Sequence, residues 1–329
     1  MEALVVVGNG EIKYQSPSSH IYMTAVMKTN MLVFVSLYLL FGWTLPLCAC
    51  KISGTFITQD DQSIPLDMVD NSVDDMYSTC ATKMEAKVKG TYFKKEMRED
   101  FKNMWSRAEK CAKKKIKERE RGDEALTKDH LQAICAYTAG GRENAYKTFN
   151  KAVRTNRAQY GSTFPFHSLH FWLTRAIQIL KTSDSKCHTT FRRTESKFTG
   201  VVSKVMRFGT FTSSSNSSAL TRFGKTTCFK IRTCHGAYLK KYPKLGDSEQ
   251  EVLIPPYETF KIISKDKPMK QLSDCKTVYI LNSTGVQSNL DCQDRNAPQT
   301  CDVNRNFPRM RISVDCKLLE SGFRVCGGR

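Results

Sequence analysis

The chain has 329 residues, enough for one large domain or two average ones, and for a sizeable buried core. Hydrophobic residues make up 40% and charged residues 25%, which excludes wholesale disorder, and no period of roughly 20–50 residues recurs, which excludes a solenoid. Lys+Arg is 51 against Asp+Glu 32, a net charge of +19 that suits anionic partners, and thirteen cysteines point to an oxidising compartment.

MKTN at 27–30 has the form of a natural start, so residues 1–26 read as an extension from an upstream initiation codon. Residues 27–50 read as a signal peptide. Lys28 precedes a short apolar stretch at 31–41, and Thr44, Pro46 and Ala49 follow it. The alternative is an uncleaved signal anchor, because the uncharged run 29–50 is long enough to span a bilayer. In both readings the rest of the chain enters the secretory lumen. Eleven cysteines remain after residue 50, an odd number, and the absence of C-x-x-C and H-x₃-H spacings argues against a zinc site. Asn216 (N-S-S) and Asn282 (N-S-T) are glycosylation sequons. The end, RVCGGR, has no apolar tail, so no glycosylphosphatidylinositol anchor is expected.

Residues 51–80 are acidic, with little periodicity. Residues 84–121 are predicted as helix. Met97, Phe101, Met104, Trp105, Ala108, Cys111 and Ala112 form one apolar stripe, opposite a face rich in Lys and Arg. Shorter helices are expected at 125–138 and 143–154. A further stripe runs through Phe166, Leu169, His170, Leu173, Ala176, Ile177 and Leu180. From Cys187 the pattern changes to β-rich runs: TTFRRT, VSKVMRFGTFT, TCFKIRT, EVLIPPYETFKII and KTVYILN. Helices first and strands second give an α+β fold, not alternating βαβ units.

Three features of the β-rich half carry chemistry. Arg192 lies in a strand-like run, where its planar fork suits a phosphate or pyrophosphate. A serine triplet, 213–215, closes the RFGTFT run. Glu249 and Glu251 stand two apart just before VLIPPYE, and in a strand such residues face the same side. Two neighbouring carboxylates can divide labour: one stabilises a developing cation, the other positions or deprotonates a nucleophile. His167, His170 and His188 make no metal or triad constellation, and His170, on the apolar stripe, reads as a core or cleft-wall residue.

The arginine, the serine turn and the E-x-E together resemble the R-S-E-x-E arrangement of the vertebrate ecto-ADP-ribosyltransferases. LDMVDNSVDDMYSTCATKM (66–84), AYTAGGRENAYKTFNKAVR (136–154), FPFHSLHFWLTRAIQIL (164–180), RFGTFTSSS (207–215) and EQEVLIPPYETF (249–260) are similar to segments of that family. The resemblance covers about residues 64–292. It implies a catalytic domain at 51–292, with helices leading into two packed sheets around an NAD cleft, followed by a basic, cysteine-containing tail at 293–329. It implies transfer of ADP-ribose from NAD to arginine side chains, with NAD as a substrate and no metal.

By the same resemblance, Glu251 stabilises the oxocarbenium-like sugar, Arg192 binds the pyrophosphate side and Ser213 steadies the ribose. Glu249 orients the acceptor guanidinium. Asn150 and Arg154 are further candidates for the cleft. Arg193 stands where the family commonly has glycine; it either disturbs a close backbone approach or adds a second phosphate-binding cation. The resemblance further implies Cys80–Cys292 and Cys187 with Cys234 or Cys228, leaving Cys275, Cys301, Cys316 and Cys326 unassigned. Expected partners are arginine-containing extracellular or lumenal proteins and anionic cell-surface glycans, with no specific nucleic acid, and a membrane only if residues 29–50 are retained. The alternatives are an NAD glycohydrolase of the same fold and a basic extracellular binding protein.

Overall fold

The computed structural model describes residues 63–140, 145–266 and 270–292. The expected signal segment, the 1–26 extension and the tail with Cys301, Cys316 and Cys326 lie outside them.

The helical half comes first, as expected, but the long helix breaks. α1 (Ala81–Lys87) runs through a π-turn (Val88–Tyr92) into α2 (Phe93–Glu96), and α3 (Glu99–Lys115) starts afresh after Met97 and Arg98 leave helical geometry. The cause is Glu96. Its buried carboxylate accepts the backbone N–H groups of His167 (2.7 Å) and Ser168 (2.9 Å) at the start of α6 (His167–Ser183). A carboxylate there satisfies orphan donors and the positive end of the helix dipole, which outweighs continuing one helix. Between them come α4 (Lys128–Tyr137) and α5 (Ala145–Thr155).

The α3 stripe holds: Phe101, Met104, Trp105, Ala108 and Ala112 are buried, and Cys111 is bonded to Cys135 of α4. On the basic face Lys113 pairs with Glu109 and Lys114 with Glu118, a solvated surface of ion pairs. Helix α6 is buried on nearly every side over its first two turns, more than one stripe would require, because it lies in the middle of the helical layer. No helix among the described residues is long and apolar enough to cross a membrane.

The strands are β1 (Ile64–Pro65), β2 (His188–Thr194), β3 (Phe198–Thr199), β4 (Val205–Arg207), β5 (Thr212–Ser215), β6 (Thr227–Thr233), β7 (Ala237–Tyr238), β8 (Glu251–Ile254), β9 (Glu258–Asp266) and β10 (Thr277–Val286). β1 and β3 pair in parallel; the other eight run in the order β4-β9-β10-β6-β2-β5-β8-β7. The expected two sheets are thus halves of one hydrogen-bonded sheet. β2 and β5 share a single pair, Phe191 with Ser215. The sheet bends there: Ile254 of β8 enters one apolar core with Phe229 and Ile231 of β6, Phe260 and Ile262 of β9, and Tyr279 and Leu281 of β10.

Four disulfides tie the described chain: Cys80–Cys292, Cys111–Cys135, Cys187–Cys234 and Cys228–Cys275. The acidic 66–80 segment is structural. Asp74 pairs with Arg207 at 2.5 Å, both fully buried, and Asp75 accepts from Tyr160 and from the Cys292 N–H. Gly209 has φ +63, and a Cβ there would come within 2.7 Å of the Val69 side chain, so the RFG turn demands glycine.

Candidate active site

The seam between the half-sheets makes the site. β2 and β5 share one backbone pair across that seam. Arg192 spans it: Nη1 donates to the Ser213 carbonyl at 2.7 Å. Burial pulls its guanidinium pKa down, while Tyr137, Tyr146 and Glu251 pull it back up. The serines divide their work. Ser214 Oγ donates to the Val252 carbonyl (2.9 Å) and Ser215 Oγ to the Glu249 carbonyl (2.6 Å), pinning β5 to β8. The Ser213 hydroxyl, beside the Glu251 carboxyl, favours its ionised form.

Glu251 is the first residue of β8 and only 7% exposed. Its pKa is pushed up to about 7 by burial, and the Glu249 charge adds to the rise; Ser213 and Arg192 oppose it. A carboxyl so placed carries its charge where a neighbouring cation would most reward it.

The geometry of the acidic pair differs from two residues on one strand. Gln250 has φ +44, and its N–H closes a turn on the Asp247 carbonyl at 3.1 Å. Glu249 therefore ends a loop while Glu251 begins the sheet. The two carboxyls still feel each other. Glu249 is partly open to solvent.

Tyr137, the last residue of α4, was not singled out by the sequence reading. Its hydroxyl donates to the Phe211 carbonyl (2.8 Å) and accepts from Asn150 Nδ2 (3.1 Å), in the electrostatic neighbourhood of Ser213, Arg192 and Glu251. Its pKa is raised to about 12, mainly by burial. The only sequence signal was its place in the AYTAGG run. The Oδ1 of Asn150 is buried with no hydrogen-bond partner. Such an orphan suits a ligand that carries hydroxyls or an amide.

Arg154 lies one turn further along α5. Its Nη1 donates to the Phe208 carbonyl at 2.7 Å, and it borders an open hollow of about 390 Å³ lined by residues 67–71 and Thr155. That hollow does not include Glu251. Arg193 is not a second phosphate cation. It alternates to the opposite face of β2 from Arg192, where it holds Asp274 (2.9 Å), the Ser218 carbonyl (2.9 Å) and Cys275 Sγ (3.3 Å). His170 is a core residue: Nδ1 accepts from the Tyr77 hydroxyl (2.7 Å) and Nε2 donates to the Val73 carbonyl (2.9 Å), with burial pushing its pKa down to about 3.

A buried carboxyl, a guanidinium and a hydroxyl thus come together at the seam of the sheet. A family model described as NAD:arginine ADP-ribosyltransferase matches residues 66–282. The chain is 32% identical over 238 residues to the erythroblast NAD(P)(+)–arginine ADP-ribosyltransferase of Gallus gallus, covering 70% of this chain and 76% of that protein. It is 31% identical over 281 residues to GPI-linked NAD(P)(+)–arginine ADP-ribosyltransferase 1 of Mus musculus, covering 78% and 82%. The crystal structure of a mutant of the eukaryotic mono-ADP-ribosyltransferase ART2.2 in complex with NADH superposes with a TM-score of 0.59 at 30% identity, over 69% of this chain and 97% of that one. The chain belongs to the NAD:arginine ADP-ribosyltransferase family, and NAD is its donor substrate.

Proposed function

We propose that this chain transfers ADP-ribose from NAD to arginine side chains of proteins outside the cell or in the secretory lumen, with Glu251 as the catalytic carboxylate. One observation carries the reading: a buried carboxyl whose pKa is lifted to about 7 sits within reach of Ser213 and Arg192 at the seam of the sheet.

The chemistry follows from charge. Breaking the bond between nicotinamide and ribose leaves positive charge on the sugar. Glu251, ionised, holds the ribose 2′-hydroxyl and stabilises that charge, and its protein neighbours are fixed before the reaction begins. Arg192 supplies cationic donors for the pyrophosphate, and Asn150 Oδ1 supplies an acceptor. Glu249 aligns the incoming guanidinium and takes up the proton it sheds. The four disulfides and two exposed sequon asparagines support an oxidising, extracellular setting. The basic surface and the net charge of +19 support retention on anionic cell-surface glycans.

The test measures nicotinamide release and adduct formation separately, with agmatine as acceptor. Glu251→Gln is expected to lose both by about 10²–10³-fold, the usual scale for one preorganised electrostatic group. Glu249→Gln is expected to lose the agmatine adduct and keep nicotinamide release to water. Folded wild-type protein that releases nicotinamide but never labels agmatine would make the chain an NAD glycohydrolase instead.

A further inference from the structure

Neighbouring arginines of β2 hold one stretch of chain from opposite faces. Arg192 reaches the Ser213 carbonyl in β5, and Arg193 reaches past the end of β5, where its Nε donates to the Ser218 carbonyl at 2.9 Å. The Arg193 side chain is 5% exposed. Its Nη1 is fixed by Asp274 Oδ1 (2.9 Å), whose other oxygen lies 3.5 Å from Lys225 Nζ. Ser218 belongs to the connection from β5 to β6. At its start that connection is tied to the acidic turn before β8: Ser215 Oγ donates to the Glu249 carbonyl at 2.6 Å, and the Asn216 N–H donates to the Gln250 carbonyl at 3.1 Å. At its far end it is tied to the end of β2. A Cβ on Gly224 would come within 2.4 Å of the Thr194 backbone, and Glu195 accepts from the Lys225 N–H (3.2 Å) and Thr226 Oγ1 (2.9 Å). Between those ends the buried support is Arg193 on Ser218. Arg222 of the same connection meets the Glu249 carboxylate, but its side chain is 56% exposed, and a surface pair of that kind holds little. Gln250 stands at φ +44, a conformation that a non-glycine residue keeps where its surroundings hold it. Release of the connection therefore loosens the turn that aims Glu249. Glu251 stays in place, because it lies inside β8, paired with Ser215.

We propose that Arg193 is a positioning residue for the acceptor: by holding the β5–β6 connection at Ser218, it fixes the turn that carries Glu249 and so sets how an incoming guanidinium is aligned. The inference rests on Glu249 as the residue that orients the acceptor. Arg193 touches neither donor nor acceptor and acts through two hydrogen-bonded segments. Lysine cannot do the same work, because one ammonium lacks the planar fork that reaches the Ser218 carbonyl and Asp274 together. The donor half of the reaction is spared, because Arg192 projects from the other face of β2.

The test compares wild type, Arg193→Lys, Asp274→Asn and the double variant. Agmatine adduct formation is measured over a range of agmatine and of NAD concentrations, and nicotinamide release to water is measured without agmatine. Hydrogen exchange is followed in residues 216–224 and 244–250. Arg193→Lys is expected to raise KM for agmatine about tenfold, the scale of one hydrogen bond from a charged donor. KM for NAD and nicotinamide release to water should stay as in wild type, and exchange should quicken in both segments. Asp274→Asn should move the same quantities in the same direction by less. The double variant should match Arg193→Lys, because the two side chains act as one unit. Asp274 is partly exposed, so Asp274→Asn carries the same measurements where Arg193→Lys does not fold. An agmatine KM that stays at the wild-type value in these variants, whatever their Tm, makes the role of Arg193 structural; it overturns the proposal and leaves the transferase reading intact. A rise in KM for NAD as large as that for agmatine places the effect on the donor side and overturns it too. Wild type that labels no agmatine overturns both readings.

Discussion

Arg192 and Ser213 meet where the sheet is weakest: the guanidinium donates to the serine carbonyl at 2.7 Å across two strands that share one backbone pair. The same side chain thus bridges the half-sheets and, in the function proposed above, offers charge to the donor. Arg192→Lys keeps the charge and loses the planar fork. The expected outcome is a rise of about 10–100-fold in KM for NAD, the scale of one or two charge-assisted hydrogen bonds at 1.5–3 kcal/mol. Initial-rate kinetics over a range of NAD concentrations check this.

Glu251 ties activity to pH. Its pKa stands near 7 in the folded chain against an ordinary 4.5, so folding takes up a proton between those values. The native state therefore loses stability as pH rises through that window, and the cost is complete above about 7. Glu251→Gln is expected to stabilise the protein by roughly 3 kcal/mol at pH 8, at about 1.4 kcal/mol per pKa unit, and hardly at all at pH 4. Chemical denaturation at the two pH values reads the difference. The kcat/KM for NAD should rise with pH through about 7 as the carboxyl ionises, and the limb in kcat should lie lower, because the cationic nicotinamide ring favours the carboxylate.

Much of this site could be read from the sequence, because Arg192, Ser213 and Glu251 each lie inside a short motif. The order of helices before strands was equally legible, since hydrophobic period is local. What escaped depends on distant partners. The helix break at Met97 comes from a carboxylate capping a helix 71 residues away. Tyr137 joins the site through a carbonyl 74 residues on. Strand alternation alone would have turned Arg193 away from Arg192, but not found Asp274. The left-handed Gln250 has no signature, because glutamine is not a residue type that marks such a turn.

Tyr137→Phe removes the donor to the Phe211 carbonyl and the acceptor for Asn150. A buried carbonyl and a buried amide then lack partners, at a cost of about 1–3 kcal/mol. The expected signature is a lowered Tm together with weaker NAD binding. Asn150→Ala, which removes the orphaned acceptor, should weaken NAD binding with a smaller loss of stability.

The Cys80–Cys292 bridge closes a loop of 212 residues from the start of the first helix to beyond the end of β10. Replacing both cysteines with alanine is expected to cost roughly 5 kcal/mol on the chain-entropy model. Urea unfolding of oxidised wild type beside the double variant measures it.

Glu258 anchors the region beyond β6. Its fully buried carboxylate accepts from Thr233 Oγ1 (2.5 Å), the N–H groups of Cys234 (2.7 Å) and His235 (3.1 Å), and Ser283 Oγ (2.7 Å). Glu258→Ala strands one buried and three half-buried donors, so a loss of about 3–5 kcal/mol is expected, with poor secretion as the cellular readout.

The bend at Gln250 assigns the two acidic residues to different parts of the scaffold, one to the sheet and one to the loop of residues 239–250. Engineering can exploit that division. If Glu249 orients the acceptor as proposed, changing the exposed residues within 244–248 of that loop is expected to alter which protein arginines are modified, while Leu239 and Tyr242 keep it fixed to the core. Such variants could serve as programmable labelling reagents for chosen arginines on cell surfaces.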